Sequence, residues 1–252
     1  MIRDIDVLAR EWADPHVAAD HELARMMDPP APWERVVVLG DSIAEGLREP
    51  VPGYRDLSWV DRLRAAFTFA RPGAVLFNLG RRDLTAAEIR ATQLERALSL
   101  RPGLAIVTAG GNDALRRRFD PDVLAGELRA LLTPLREAGA DVLTFDLYDW
   151  SSNPYVPERF APVMGPRLTE VTEIVREASA QVGGMHSRLR DGPAAQDRDR
   201  FSRDGLHLNA RGHGIVATDL ARTLGNAGPG GQVPVRVFAQ RAKPAAERHP
   251  AD

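Results

Sequence analysis

A chain of 252 residues, 44% of them hydrophobic, is long enough to bury a core of its own as one domain with tails. Its formal charge of -2 and pI near 6.3, with acidic residues interleaved among the arginines, give no electrostatic reason to expect a nucleic-acid partner. The absence of cysteine excludes disulfides, thiolate catalysis and cysteine-ligated metals.

The first residues, Met1-Ile2-Arg3-Asp4-Ile5-Asp6, carry charge where a signal peptide needs an apolar stretch, and no segment approaches the ~18 apolar residues of a membrane span. A cytoplasmic protein without a membrane span is expected. Residues 1–33 read as a partly helical lead-in ending in Asp28-Pro29-Pro30-Ala31-Pro32, which cannot continue a helix. The domain is expected over 34–224. From Gly225 onward glycine, proline and arginine dominate, the composition of a flexible tail over 225–252.

Within the domain, Arg35–Leu39, Ala74–Leu79, Leu104–Ala109 and Asp141–Leu147 are short apolar runs bounded by turn residues, as buried parallel strands are. Met185–Leu189 gives a fainter fifth. Between them lie stripes at helical spacing: Val60, Leu63, Phe67 and Ala70, then Leu124, Leu128, Leu131 and Leu135, then Leu168, Val171, Val175, Ala178 and Val182. Pro72-Gly73 and Pro102-Gly103 punctuate returns from helix to strand. Alternating β and α elements predict a parallel sheet with helices on both faces.

Open sheets of this kind bind ligands outside the carboxyl ends of their strands. The reactive residues fall there. Gly40-Asp41-Ser42 follows the first strand, Asn78-Leu79-Gly80 with Arg81-Arg82-Asp83 follows the second, and Gly110-Gly111-Asn112-Asp113 follows the third. A serine hydroxyl is a poor nucleophile until a base takes its proton, and the base needs a group to orient it. Among six histidines only His207 has an aspartate three positions earlier, in Asp204-Gly205-Leu206-His207. Ser42 is therefore the expected nucleophile, His207 the base and Asp204 its orienter. At the head of a helix the N–H of Ser42 would face an oxyanion, and the side-chain amide of Asn112 would donate to it. Taken singly, Gly-Asp-Ser caps helices well and Gly-Gly-Asn-Asp is good turn chemistry. Their order along one sheet edge is what capping and turns leave unexplained.

These blocks resemble the SGNH hydrolases, the GDSL-type esterase/lipase family. Val37-Val38-Leu39-Gly40-Asp41-Ser42 is similar to its first block, Gly110-Gly111-Asn112-Asp113 to its third, and Ser202 to Asn209, with Asp204 and His207, to its fifth. The similarity spans about Arg35 to Leu224. It implies a three-layer α/β/α sandwich on a mostly parallel five-stranded sheet, flavodoxin-like, and ester hydrolysis without metal or other cofactor. It also implies a backbone donor in the second block, where the family has glycine about five residues after an asparagine such as Asn78. Asp83 holds that place here, with Gly80 earlier, so either N–H could complete an oxyanion hole with Ser42 and Asn112.

The expected function is a serine esterase hydrolysing carboxylic esters of small molecules. Alternatives are an acyltransferase or carbohydrate O-acetylesterase of the same fold, or a catalytically degenerate scaffold. No Gly-x-Gly-x-x-Gly turn follows the first strand, which speaks against a dinucleotide. His213 and His207 form no recognised metal pattern. Arg116-Arg117-Arg118 reads as a solvated face or a greeting for an anionic group, and Tyr148 to Tyr155 as a loop that covers the sheet edge or lines a pocket.

Overall fold

A computed structural model of the chain describes residues 8–27, 32–149, 151, 153–192, 194–195 and 197–227. The expectations for residues 1–7, for positions 28–31 and for the tail beyond 227 lie outside these, as do Trp150 and Ser152.

The described chain runs α1 (Ala9–Ala13), α2 (Asp20–Met26), β1 (Arg35–Gly40), α3 (Ser42–Glu45), α4 (Trp59–Ala70), β2 (Val75–Asn78) and α5 (Ala86–Ser99). It continues through β3 (Leu104–Thr108), α6 (Gly111–Leu115), α7 (Pro121–Glu137), β4 (Asp141–Phe145), α8 (Ala161–Gln181), β5 (Met185–Ser187) and α9 (Ala210–Asn226). The strands form one sheet in the order β2-β1-β3-β4-β5, and every pairing is parallel. This is the flavodoxin-like order in a three-layer α/β/α sandwich.

Val36, Val37, Val38 and Leu39 are all fully buried because helices cover both faces of β1. Val36 and Val38 pack with α2, α4 and α9, whereas Val37 and Leu39 pack with α5, α7 and α8. Each helix turns the stripe read from its spacing inward: Leu63 and Phe67 in α4, Leu128 and Leu131 in α7, Leu168 and Val171 in α8. The fourth apolar run leaves the sheet early. β4 ends at Phe145 because β5 offers only three residues to pair, and Asp146 then turns into the loop.

Helix α5 has no counterpart among the stripes read from the sequence. Its fully buried positions are Ala86, Ile89, Gln93 and Ala97, with Leu94 and Leu98 partly buried against the same core, so only one large aliphatic side chain is fully buried. Its start is nevertheless signalled: Thr85 accepts from the N–H of Glu88 while the Glu88 carboxylate accepts from the N–H of Thr85.

The lead-in is fastened to α4 by a buried charge network. Glu11 accepts from both terminal nitrogens of Arg62 at 2.9 Å and from the side chain of Arg55 at 2.7 Å. Burial alone would push the Glu11 carboxyl up, but the hydrogen bonds and charge of Arg62, then the hydrogen bonds of Arg55, outweigh it and hold the pKa at about 2.

Candidate active site

Ser42 opens α3 immediately after β1, where a tight exit is enforced by packing. Gly40 pairs with Thr108 across the β1–β3 ladder, and a Cβ at Gly40 would come within 2.5 Å of Thr108. Buried Gln93 clamps the same residue, accepting from the Gly40 N–H at 2.9 Å and donating to its carbonyl at 2.8 Å. Asp41 then caps α3 by accepting from the N–H of Ile43 at 3.0 Å. Its carboxyl is pushed up to about 7, chiefly by burial and also by the charge of Asp113, against the Ile43 hydrogen bond.

The histidine arrives on a loop closed onto itself. The N–H of Ser202 donates to the carbonyl of His207 at 2.8 Å, and the Ser202 hydroxyl donates to that of Leu208 at 2.9 Å. Asn209 ends the loop by capping α9, accepting from the N–H of Gly212. So held, His207 Nε2 lies 2.9 Å from Ser42 Oγ and Nδ1 lies 2.6 Å from Asp204 Oδ2. The other oxygen of Asp204 accepts from the N–H groups of Leu206 and His207. Burial raises the Asp204 pKa, but these hydrogen bonds and the imidazole lower it below the usual carboxylate range. A hydroxyl, an imidazole and an ionised carboxylate thus stand in line, the geometry needed to move a proton off Ser42.

Asn112, in the first turn of α6, donates to the carbonyl of Leu84 at 3.0 Å and lines the same cleft as Ser42 and His207. The two second-block candidates differ. Gly80 packs against the backbone of α3, where a Cβ would come within 2.5 Å of Ala44 and Glu45, and its N–H donates to Asn78 Oδ1 at 2.9 Å. Asp83 is exposed and left-handed, with φ 68°, next to the Leu84 carbonyl that holds Asn112.

The sequence profile of a family described as "GDSL-like Lipase/Acylhydrolase family" matches residues 38–215, most of the chain and all of the blocks just described. The chain belongs to the GDSL-like lipase/acylhydrolase family. It is a hydrolase that acts on ester bonds. No curated protein matches the sequence. Among solved structures it is similar to Axe2, an acetylxylan esterase from Geobacillus stearothermophilus, at 16% identity and a TM-score of 0.62 over 76% of this chain and 94% of that one. TesA gives 21% identity and 0.60 over 75% and 97%. The psychrotrophic esterase EstA from Pseudoalteromonas sp., inhibited by monoethylphosphonate, gives 21% and 0.54 over 76% and 93%.

The cleft of this GDSL-like hydrolase encloses about 630 Å³, counting its open side. Beyond Ser42, His207 and Asn112 its walls are largely apolar, with Ile43, Phe145, Leu147, Phe201 and Val216. Its wall includes Tyr148, the first residue of the loop read as covering the sheet edge or lining a pocket, and Asp146, which the sequence does not single out. Asp146 accepts from His186 Nε2 at 2.7 Å, and His186 Nδ1 lies 2.8 Å from the Thr144 hydroxyl. His213 is buried in α9 with both nitrogens engaged: Nδ1 accepts from the Trp59 N–H at 3.2 Å, and Nε2 donates to the Leu47 carbonyl at 3.0 Å. Burial lowers its pKa to about 4, with the charges of Arg48, Arg62 and His207 adding to that and the Leu47 carbonyl opposing it. Among the described residues no group of three or more histidine or acidic side chains could hold a metal ion, and no helix is long and apolar enough to cross a membrane. Of the three arginines after the third block, Arg116 stands 3.7 Å from Glu88 at the surface.

Proposed function

We propose that the protein is a serine esterase of small-molecule carboxylic esters, working through an acyl-enzyme on Ser42. His207 Nε2 takes the hydroxyl proton as Ser42 Oγ bonds to the ester carbonyl carbon. Asp204 fixes the imidazole so that Nδ1 carries a proton and Nε2 is free to accept one, and it stabilises the imidazolium without becoming protonated. The carbonyl oxygen, now negative, is held by the N–H of Ser42, the side-chain amide of Asn112 and the N–H of Asp83. Gly80 is the poorer third donor because its N–H already serves Asn78. Collapse breaks the bond to the alcohol, which leaves with the proton from His207. A water then attacks the acyl-enzyme with His207 as base, and the acid departs as Ser42 regains its proton.

The observation that carries this reading is the unbroken contact from Ser42 Oγ through His207 to Asp204, 2.9 and 2.6 Å long. Hydrolysis of p-nitrophenyl esters of graded chain length, by wild type and Ser42→Ala, tests it. The variant should lose at least about a thousandfold in kcat while keeping its fold. Equal rates in the two proteins would remove Ser42 from the reaction.

A further inference from the structure

We propose that Glu49 is a positioning residue for the reaction at Ser42. By accepting from the backbone N–H of Arg203, its carboxylate fixes where the loop carrying Asp204 and His207 stands against the nucleophile. The inference rests on the reading of Ser42 as nucleophile and His207 as base, and adds what holds the two in register.

Nucleophile and base come from opposite ends of the domain, and one short segment meets both. At the nucleophile end, the Ser42 carbonyl accepts from the N–H groups of Gly46 and Leu47 at 3.0 and 3.1 Å. The segment that follows is pinned twice: His213 Nε2 donates to the Leu47 carbonyl, and the Arg48 guanidinium donates to the carboxylate and the carbonyl of Asp56. Glu49 comes next and meets the histidine loop at three points. Its N–H donates to the Ser202 hydroxyl at 3.1 Å. Its carbonyl accepts from the Ala210 N–H at 2.9 Å, and its carboxylate accepts from the Arg203 N–H at 2.7 Å.

The three ties do different things. Those to Ser202 and Ala210 use backbone atoms of Glu49 and hold the two ends of the loop. The carboxylate reaches inside it, to the residue next to Asp204. Among the described residues the Asp204 carboxylate bonds only within the loop, to Leu206 and His207, so nothing outside the loop grips it directly. Its place relative to Ser42 is inherited from its neighbours, and on one side that neighbour is Arg203. A backbone N–H donating to a carboxylate is among the stronger hydrogen bonds. The Arg203 guanidinium, 79% exposed and 3.4 Å from the other Glu49 oxygen, adds little in water. Proton transfer across the 2.9 Å from Ser42 to His207 tolerates little displacement, since about 1 Å can cost roughly a hundredfold in rate. With the backbone ties left in place, loss of the carboxylate should cost less than that.

The test compares Glu49→Ala, Glu49→Asp and Glu49→Gln in p-nitrophenyl ester kinetics and in labelling by a fluorophosphonate. Glu49→Ala should lose about tenfold in kcat with KM changed by less than about twofold. It should still take up one label per chain at the end point, about tenfold more slowly, because each folded molecule keeps its serine but holds the base out of register. Glu49→Gln keeps an acceptor oxygen at the same reach without the charge, so it should stay within about threefold of the wild type. Glu49→Asp keeps the charge but withdraws the oxygen by one methylene, and should be as slow as Glu49→Ala. The Asp and Gln variants thus separate placement from charge even where Glu49→Ala folds poorly. A wild-type kcat in Glu49→Asp, a Glu49→Gln as slow as Glu49→Asp, or a loss explained by chains that never label would overturn the inference in an enzyme whose Ser42 is essential. Retained hydrolysis by Ser42→Ala would instead overturn the reading of the site, and the inference with it.

Discussion

Asp83 occupies a backbone conformation that glycine enters most easily. Its φ of 68° puts it among the non-glycine residues that a side chain makes uncomfortable, although aspartate tolerates this region better than most. The resemblance implies glycine at that place, and this chain has a carboxylate there in a conformation that suits glycine. Arg82 does not bind that carboxylate firmly, because its guanidinium pairs with Glu45 at 3.0 Å. If the Asp83 N–H serves the oxyanion, its own negative charge works against the charge it helps to stabilise. Asp83→Gly should therefore raise kcat/KM severalfold at low ionic strength, and the gain should fade in high salt as exposed charge is screened. Initial rates at two salt concentrations check this. A variant no faster than wild type at low salt would separate the Asp83 carboxylate from the reaction.

At the scale of elements, what could be read from the sequence depended on how each inner face is built. Strands covered on both sides show themselves as unbroken apolar runs, and Val36 to Leu39 did so because helices pack on either face. Helices α7 and α8 were legible for the same reason, through leucine and valine at helical spacing. Helix α5 was not, because its fully buried positions are mostly alanine and glutamine while Leu94 and Leu98 are only partly buried against the core. Only the reciprocal pairing of Thr85 and Glu88 could have revealed it. Gln93 was equally hidden, since its value lies in matching both backbone groups of Gly40, 53 positions away. The line from Ser42 to Asp204 was readable because two of its members are three residues apart and the third ends a strand. The string of Thr144, His186 and Asp146 was not, because it depends on the register that sets Thr144 beside His186 in neighbouring strands. Which second-block N–H is the better candidate for the proposed oxyanion site was undecidable from spacing, since only the structure has the N–H of Gly80 donating to Asn78.

For the molecule as a whole, His213, Glu11 and Asp41 are three of the buried groups through which stability answers to pH, and they do not all pull the same way. His213 has a depressed pKa, about 4 against 6.5, so the unfolded chain binds its proton first. Its contribution is whole above pH 6.5 and is lost as pH falls through about 4. Glu11, held at about 2, acts in the same sense lower down, keeping its contribution above 4.5 and losing it as pH falls through about 2. Asp41 is opposite. Its raised pKa of about 7 means a contribution that is whole below 3.8 and is lost as pH rises through 7. Between pH 4 and 6.5 the effects of His213 and Asp41 oppose one another, so the wild-type profile alone does not separate them. His213→Gln does. The stability difference between wild type and variant should be constant above about pH 7 and shift against the wild type by on the order of 3 kcal/mol as pH falls to 4. Urea unfolding at a series of pH values measures it, and a difference independent of pH would mean that His213 is not the buried neutral group described.

The central claim is that His207 makes the Ser42 oxygen a nucleophile, and covalent labelling by a fluorophosphonate, read by intact mass and peptide mapping, tests it most directly. The wild type should gain one adduct, on Ser42; Ser42→Ala should gain none, and His207→Ala should label more than a hundredfold more slowly. An adduct at another residue, or labelling of Ser42 that proceeds as fast without His207, would contradict the account.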